Sequence, residues 1–220
     1  MEEHLRLVDI WKTYDGSNYV LKGISLSVER GKIIAIKGRS GSGKTTLFNI
    51  MGCLDKPTKG EVYIDGMKIS ALKRKDLANI RLRKIGHIFQ SHNLIDDLTV
   101  LENVMLPMRL AKRKDAKKRA FDLLAHFEIE HLASKTTREI SGGELERVAI
   151  ARALANEPEI LLADEPTASL DYDNSITVLE TFRKINAEMG TTVLIASHDP
   201  LINNYVDIKY KLERGILTRV

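Results

Sequence analysis

The chain has 220 residues, enough for one large or two small domains with a sizeable core. Its composition is ordinary for a globular protein, and a formal net charge of +4 excludes neither a nucleotide, an anionic membrane surface nor a nucleic acid as a ligand. The single cysteine, Cys53, excludes an internal disulfide and fits a reducing compartment. No apolar run approaches the roughly 18 residues of a membrane-spanning helix, and the first residues do not resemble a signal peptide.

The predicted elements alternate between strands and helices along most of the chain. Runs of branched apolar residues predict strands at residues 5–10, 21–28, 32–36, 61–64, 85–90, 159–163 and 192–196, with a closing hairpin at 207–216. Helical patterns are found at residues 45–51, 73–84 and 174–189, where Gly190 ends the last helix. Strands that alternate with helices indicate a largely parallel sheet with both faces covered.

A mostly helical segment interrupts this alternation from about residue 99 to 156. We interpret it as a helical lobe at residues 91–157, inserted between the core segments 1–90 and 158–220 of one domain. A basic run from Lys112 to Arg119 lies inside the lobe. It predicts a solvated helix face, with a contact to anionic lipid headgroups as the alternative.

A glycine-rich stretch stands between the strand at 32–36 and the helix at 45–51. It reads G-x-x-x-x-G-K-[ST] and comprises Gly38, Arg39, Ser40, Gly41, Ser42, Gly43, Lys44, Thr45 and Thr46. Strand, loop and helix in this order are the setting of a phosphate-binding loop, whose backbone N–H groups and helix N-terminus attract anions. We expect Lys44 to reach the β- and γ-phosphates of a nucleotide and the Thr45 hydroxyl to ligate Mg²⁺.

Two acidic residues end the buried strand at 159–163. Asp164 and Glu165 are therefore predicted at the carboxyl end of the sheet, where ligands of open α/β sheets bind. Asp164 suits Mg²⁺, directly or through water, and Glu165 suits the orientation or deprotonation of an attacking water.

A third motif, Ser141-Gly142-Gly143, precedes a strong helix pattern at 144–154. A serine and two glycines at a helix N-terminus form a second anion site. One ATP has no use for two phosphate sites on one chain. We therefore interpret this motif as serving the ATP of a partner copy.

With these motifs in this order, the chain resembles the nucleotide-binding subunit of an ATP-binding-cassette transporter from end to end. The resemblance implies an α/β fold: a P-loop NTPase core with a mostly parallel sheet, an N-terminal antiparallel β subdomain and the inserted α-helical lobe. It also implies roles for further residues. Tyr14 would stack on adenine, Gln90 would sense Mg²⁺ and the membrane partner, and His198 would lie near the γ-phosphate. The signature motif would comprise Ser141, Gly142, Gly143 and Glu144, and Asp171 would belong to the loop 169–171. Trp11 is the alternative to Tyr14 as the stacking residue.

The same resemblance implies cofactors, partners and location. These are ATP and Mg²⁺, an ATP-dependent head-to-tail homodimer, an integral-membrane permease, no nucleic acid, and a cytoplasmic position on the inner face of the cell membrane. Glu165 would be the catalytic base, with Lys44 and His198 stabilising developing charge. The segments 49–58 and 99–108 resemble the lipoprotein-release and macrolide-export subfamily.

The signature motif departs from the family's commonest pattern at three positions. Ile140 stands where leucine is usual, and Glu144 and Glu146 stand where amides are frequent. A carboxylate at position 144 would weaken ATP-driven closure of a dimer by repulsion. Nothing that hydrolysis needs is missing.

Three other classes of nucleotide-binding protein are alternatives. A cassette ATPase acting on DNA or ribosomes is disfavoured because only 96 residues separate Lys44 from Ser141, with no sustained heptads for a coiled coil, and because ribosome-acting types usually carry two cassettes. A P-loop kinase or GTPase would leave Ser141–Gly143 and His198 unexplained. A non-catalytic cassette would not need both Lys44 and Glu165.

Overall fold

The computed structural model describes residues 2–220, which form two β-sheets and six α-helices. The strands are β1 (Glu3–Thr13), β2 (Tyr19–Glu29), β3 (Ile33–Lys37), β4 (Lys59–Ile64), β5 (Met67–Lys68), β6 (Ile85–Ile88), β7 (Ile160–Asp164), β8 (Thr192–Ser197), β9 (Ile208–Glu213) and β10 (Ile216–Arg219). The helices are α1 (Lys44–Met51), α2 (Arg74–Lys84), α3 (Val100–Leu110), α4 (Ala116–His126), α5 (Gly142–Leu154) and α6 (Tyr172–Met189). Each predicted element exists, with ends shifted by a few residues.

The larger sheet has the strand order β10-β9-β3-β8-β7-β6, and only β10 runs antiparallel to its neighbour. The predicted, largely parallel sheet is confirmed. The second sheet has the order β2-β1-β4-β5 and is antiparallel throughout, as the resemblance implied. Because β3, β7 and β8 are parallel neighbours or next neighbours, their carboxyl ends meet at one edge of the large sheet.

Alternate residues of the central strands enter two different hydrophobic cores. On β3, Ile33 faces a core that contains α6 and the helices of the inserted segment, while Ile34 faces α1 and the antiparallel sheet. Phe182 of α6 and Phe48 of α1 are fully buried on these two faces. Each such side chain contributes about 2 kcal/mol through burial, so α1 is held firmly beneath the loop that precedes it.

Helices α3, α4 and α5 pack on one another and on the large sheet through residues such as Met108, Leu124 and Val148. The prediction for the basic run is wrong in its first half, because α3 ends at Leu110 and α4 begins only at Ala116. Residues 111–115 therefore connect two helices and do not form a helix face. Arg119 donates to the backbone oxygen of Ala155 at 2.9 Å, so it contributes to packing.

A charged network joins the two sheets at the end of the molecule opposite to the carboxyl ends of β3, β7 and β8. Arg30 and Lys84 each contact both Asp65 and Glu159. His4 is buried beside them, and burial together with the charge of Arg30 lowers the pKa of its imidazole. The two cations balance the two carboxylates, so this cluster links the layers through ion pairs.

Candidate active site

The glycine-rich loop joins β3 to α1 in a conformation that leaves the helix N-terminus uncapped. Gly43 precedes the helix with a φ of 103°, and no side chain accepts hydrogen bonds from the first turn of α1. The N–H groups of that turn are available to an anion. At Gly38 a Cβ atom would lie 2.5 Å from Ser42 Oγ and 2.6 Å from the backbone oxygen of Leu212, so only glycine fits there.

The loop borders a cleft of about 400 Å³. The cleft is lined by Ser40, Gly41, Gly43, Lys44, Thr45, Thr46, Gln90, Glu165 and His198, all of them predicted site residues, and by Val20. The predicted residues Gly38, Arg39 and Ser42 lie on the other side of the loop, beside β9 and the β9–β10 turn. We call the residues around the 400 Å³ cleft the phosphate half-site.

Charged groups in this half-site are bonded to one another. Lys44 is almost fully buried, and its ammonium group lies 3.0 Å from Glu165 Oε1 while donating to the backbone oxygen of Gly38 at 2.7 Å. The other Glu165 oxygen, Oε2, lies 2.8 Å from His198 Nδ1 and also accepts from the His198 backbone N–H at 3.3 Å. A lysine from the start of α1, a carboxylate from the residue after β7 and an imidazole from the residue after β8 thus meet at one point.

Asp164, the last residue of β7, is buried beside this triad. Its Oδ1 atom has no hydrogen-bond partner among residues 2–220. Burial and the neighbouring charge of Glu165 raise the pKa of its carboxyl, while the Thr45 hydroxyl lowers it. A buried, unpartnered carboxylate oxygen next to a hydroxyl fits a hard cation such as Mg²⁺, which prefers oxygen ligands.

Tyr14 lies next to the end of the loop, whereas its alternative Trp11 does not. The Tyr14 hydroxyl is 3.5 Å from Thr46 Oγ1 and donates to Asp55 Oδ2 at 3.1 Å. Trp11 instead donates to an aspartate of its own strand and packs on Tyr19. The position of Tyr14, with an exposed ring, supports it over Trp11 as the residue available to a base.

The signature motif lies outside the 400 Å³ cleft. Ser141 and Gly142 are exposed, and Gly143 borders a separate, smaller cleft against α6. The Ser141 hydroxyl caps α5 and bonds to Glu144 Oε2 at 2.8 Å, while Glu144 also accepts from the Ser141 backbone N–H at 2.7 Å. These hydrogen bonds lower the pKa of the Glu144 carboxyl. We call Ser141–Glu144 the signature half-site.

Asp171, predicted to contact nucleotide, caps α6 in this chain. Its side chain accepts from the Asn174 backbone N–H at 2.9 Å and from the Asn174 amide at 2.9 Å. Like the signature half-site, it lies outside the residues that line the phosphate half-site. The predicted site residues therefore fall into two groups within one chain.

Several residues near these half-sites were not identified from the sequence. Val20 gives the phosphate half-site an apolar wall, but in the sequence it is one of many strand valines. Lys12 lies 4.7 Å from the centre of the Tyr14 ring and pairs with Asp55 at 2.8 Å. No local pattern indicates contacts between residues so far apart in the chain.

An apolar groove of about 600 Å³ lies beside the loop that carries Gln90. Its lining includes apolar side chains from the end of α1, α2, β6 and α3: Leu54, Leu82, Phe89, Leu106 and Leu110. Leu54 and Leu110 are exposed. Arg81 and Arg152 also line the groove, which gives it positive charge.

Comparisons with known proteins agree with this geometry. The family model described as ABC transporter matches residues 21–168. The chain is 47% identical over 90% of its length to an uncharacterized ABC transporter ATP-binding protein of Thermotoga maritima, covering 87% of that protein. It is 45% identical to the lipoprotein-releasing system ATP-binding protein LolD of Aquifex aeolicus, over the whole of both chains. It also matches the dimeric structure of the ATP-binding cassette MJ0796 in a post-hydrolysis state with ADP and phosphate, with a TM-score of 0.92, 42% identity, and 98% of this chain and 97% of that chain covered.

Across residues 2–220, none of the helices combines the length and the apolar character needed to cross a lipid bilayer.

Proposed function

Because the chain belongs to the ABC transporter family, in which it is an ATP-hydrolysing subunit that works as a dimer with a membrane permease, we propose that it energises a permease of the lipoprotein-release type. One observation carries the proposal. The phosphate half-site gathers a loop lysine, the acid Glu165 and a histidine, with Asp164 buried beside them, while the signature half-site lies outside that cleft. This arrangement suits two copies that share two ATP molecules.

The residues of the phosphate half-site have distinct roles in this proposal. The loop backbone, the N-terminus of α1 and Lys44 bind the phosphates of ATP. Asp164, Thr45 and Gln90 hold Mg²⁺, which when bound neutralises charge on the transferred phosphoryl group. Glu165 accepts the proton of the attacking water, and His198, which already contacts Glu165, orients that carboxylate and stabilises charge near the γ-phosphate.

Lys44 must exchange partners when ATP binds. Its three oxygen contacts, to Gly38, Arg39 and Glu165, are all within 3.2 Å. A phosphate oxygen placed at the N-terminus of α1 competes with Glu165 for the ammonium group, and phosphate carries more charge. The release of Glu165 Oε1 by Lys44 leaves that oxygen free to accept a proton from water.

A second copy completes each site. The signature half-site has exposed N–H groups at the start of α5, where a partially positive helix end attracts the γ-phosphate of the partner's ATP. Two such contacts make a head-to-tail dimer in which ATP lies between the copies. Dimerisation then depends on ATP, because without it each interface loses its central anion.

The apolar groove is the proposed docking site for the permease. It adjoins Phe89 and thus the loop with Gln90, so closure around ATP would move the groove walls. Its exposed leucines suit an apolar segment, and Arg81 and Arg152 suit an acidic residue on that segment. Docking there places the chain on the inner face of the cell membrane. A role on DNA or ribosomes is less well supported, because the groove is apolar and no long coiled coil is present in residues 2–220.

The variant Glu165→Gln tests the proposed site. It should reduce ATP turnover by about 100-fold or more, because the base is lost, and should accumulate an ATP-dependent dimer. Phosphate release and size-exclusion chromatography measure these two effects. The variant Glu180→Gln, on an exposed turn of α6, is the matched control and should behave like the parent chain. Normal turnover in Glu165→Gln would show that another residue is the base.

The variant Leu110→Glu tests the groove. Leu110 is 63% exposed and borders the groove, so an acid there should leave the isolated ATPase folded and active. It should prevent co-purification of the membrane permease, since a carboxylate in an apolar interface is costly to desolvate. Co-purification at the parent level would place the permease elsewhere on the surface.

A further inference from the structure

Helix α5 is attached to the loop after β6 by side chains near its middle and its end. The Arg152 guanidinium donates to the backbone oxygens of His92 and Asn93 at 2.6 and 2.5 Å. Six residues earlier on the same helix, Glu146 Oε2 lies 3.0 Å from His92 Nε2. The loop that begins at Gln90 thus touches α5 at two levels, about 9 Å apart along the helix axis: through two hydrogen bonds at Arg152, and through a close His92–Glu146 contact in which His92 Nε2 makes no hydrogen bond.

Burial of the Glu146 carboxylate is energetically unfavourable. The residue is 3% exposed, its Oε1 atom has no hydrogen-bond partner, and His92 is the one basic side chain that contacts it within residues 2–220. Burying a carboxylate with so few partners costs free energy, and an apolar side chain of similar volume at such a position is often as stable or more stable. Stability alone does not account for its presence.

The loop on the other side of the pair has an unfavourable backbone conformation. His92 and Asn93 are consecutive non-glycine residues with φ values of 59° and 51°. Such a conformation persists only where surrounding contacts impose it. Hydrogen bonds within the loop, from the His92 N–H to Phe89 O and from the Asn93 N–H to Ser91 O, contribute to it, and the contacts to Arg152 and Glu146 connect this conformation to α5.

The two ends of this connection are the two half-sites. Gln90, two residues before His92, lines the phosphate half-site, and Ser141–Gly143, a little more than one helical turn before Glu146, begin the signature half-site. Arg152 alone would fix the loop at one point and allow α5 to pivot about it. A second contact nearer the signature end prevents that pivot.

We propose that the His92–Glu146 pair couples occupancy of the phosphate half-site to the orientation of the signature half-site on the same chain. The two are positioning residues: neither touches nucleotide, and both act by transmitting movement of Gln90 to the N-terminus of α5. The inference rests on the proposed ATP-dependent dimer, in which the orientation of α5 decides whether the partner's ATP is held.

Four variants of the full chain test the coupling, each made with and without Glu165→Gln. His92→Ala and Glu146→Ala break the contact, and the double variant His92→Gln with Glu146→Gln replaces the imidazole–carboxylate contact by an amide pair that can hydrogen-bond across the same gap. Glu180→Ala removes an exposed carboxylate from α6 as the control. ADP affinity by calorimetry reports whether the phosphate half-site is folded.

The single alanine variants should bind ADP like the parent chain. In the Glu165→Gln background they should need about fivefold or more ATP for half-maximal dimerisation, the lower end of typical coupling between sites, and without it their kcat should fall more than their KM rises. The double glutamine variant should return to within about twofold of the parent. A role in folding alone would change ADP affinity and thermal stability together and would not be rescued by the amide pair.

Two results would overturn the inference. One is a dimerisation midpoint in both alanine variants equal to that of Glu180→Ala. The other is a double glutamine variant as defective as the single variants while its ADP affinity stays normal. If the parent chain itself formed no ATP-dependent dimer, the proposed function would fail first, and that outcome is visible before any His92 or Glu146 variant is measured.

Discussion

The two half-sites of this chain are constructed in opposite ways. The phosphate half-site draws Lys44, Glu165 and His198 from three separate parts of the chain, and Glu165 contacts both of the others. The signature half-site comes from one stretch of sequence, is mostly exposed, and is bonded mainly to its own Glu144. The first is organised within a single copy. In the proposed dimer the second gains a ligand only when another copy brings one, so a monomer would bind nucleotide without forming a complete site.

The largest effect is expected when two variants, each inactivated in a different half-site, are mixed. Lys44→Ala disables the phosphate half-site, and Gly142→Asp places a repelling carboxylate in the signature half-site. A Cβ at Gly142 meets no atom within 4 Å, so that variant should fold. Each variant alone should lose about 100-fold or more of the ATPase rate.

An equimolar mixture should recover about a quarter of the parent rate, since half of the dimers are mixed and each mixed dimer has one intact site. Phosphate release from the separate and mixed variants measures this. Gly142→Ala is the uncharged control and should be active alone. If the mixture stays inactive while Gly142→Asp still dimerises with Lys44→Ala, the two half-sites do not combine head to tail.

The individual motifs of both half-sites could be predicted from the sequence. The loop Gly38–Thr46, the acids Asp164 and Glu165, and the cap Ser141 are local signals, because each motif lies within one element boundary and its geometry follows from neighbouring residues. The parallel sheet was predictable because alternating strands and helices permit few arrangements.

The contacts between distant segments were not predictable. His92 and Glu146 are 54 positions apart, and nothing in either neighbourhood indicates the other. The repulsion expected from Glu144 was argued from its charge alone, and the hydrogen bonds that this carboxylate accepts from Ser141 in the folded chain were not predicted. A capping box needs a serine and an acid three residues apart, so that signal was present in the sequence and was outweighed by the comparison with a usual glutamine.

Acid should lower the free energy of unfolding through a buried histidine beside the apolar groove. His87 of β6 stacks on Phe89 at the groove, and burial together with the charge of Arg152 lowers the pKa of its imidazole to about 4. The unfolded imidazole takes up a proton below about pH 6.5, whereas the folded one stays neutral. Stability is therefore full above about pH 6.5 and falls as the pH drops towards 4, by up to about 3 kcal/mol.

Denaturant unfolding at pH 7 and pH 4.5 measures this loss. His87→Phe keeps a ring against Phe89 and should remove most of the pH dependence that His87 causes, leaving the part due to His4 and to carboxyls such as Glu159, whose pKa values are also lowered. His126→Phe, at an exposed site on α4, is the control and should leave the dependence unchanged. If His87→Phe lost as much stability between pH 7 and pH 4.5 as the parent chain does, other groups would be responsible for the acid sensitivity.

The smallest effect is expected from Glu144→Gln. This variant tests whether the charge of the capping residue Glu144 weakens binding of the partner's ATP at the signature half-site. Glutamine also forms capping boxes, so the free energy of unfolding should change by less than about 0.5 kcal/mol. The Glu144 pKa is lowered, so the parent residue is anionic at neutral pH and lies close to where the partner's γ-phosphate would bind. Removing that charge should reduce the ATP needed for half-maximal dimerisation about two- to threefold in the Glu165→Gln background, measured by size-exclusion chromatography.

A higher ATP requirement in this variant would also distinguish the two half-sites. If Glu144→Gln needed more ATP, the carboxylate would be orienting the Ser141 hydroxyl and backbone N–H toward phosphate, and the signature half-site would be organised within a single copy after all. Raising the salt concentration distinguishes the two cases, because repulsion between exposed charges is screened whereas a capping hydrogen bond is not. The advantage of Glu144→Gln over the parent chain should therefore shrink as salt is added.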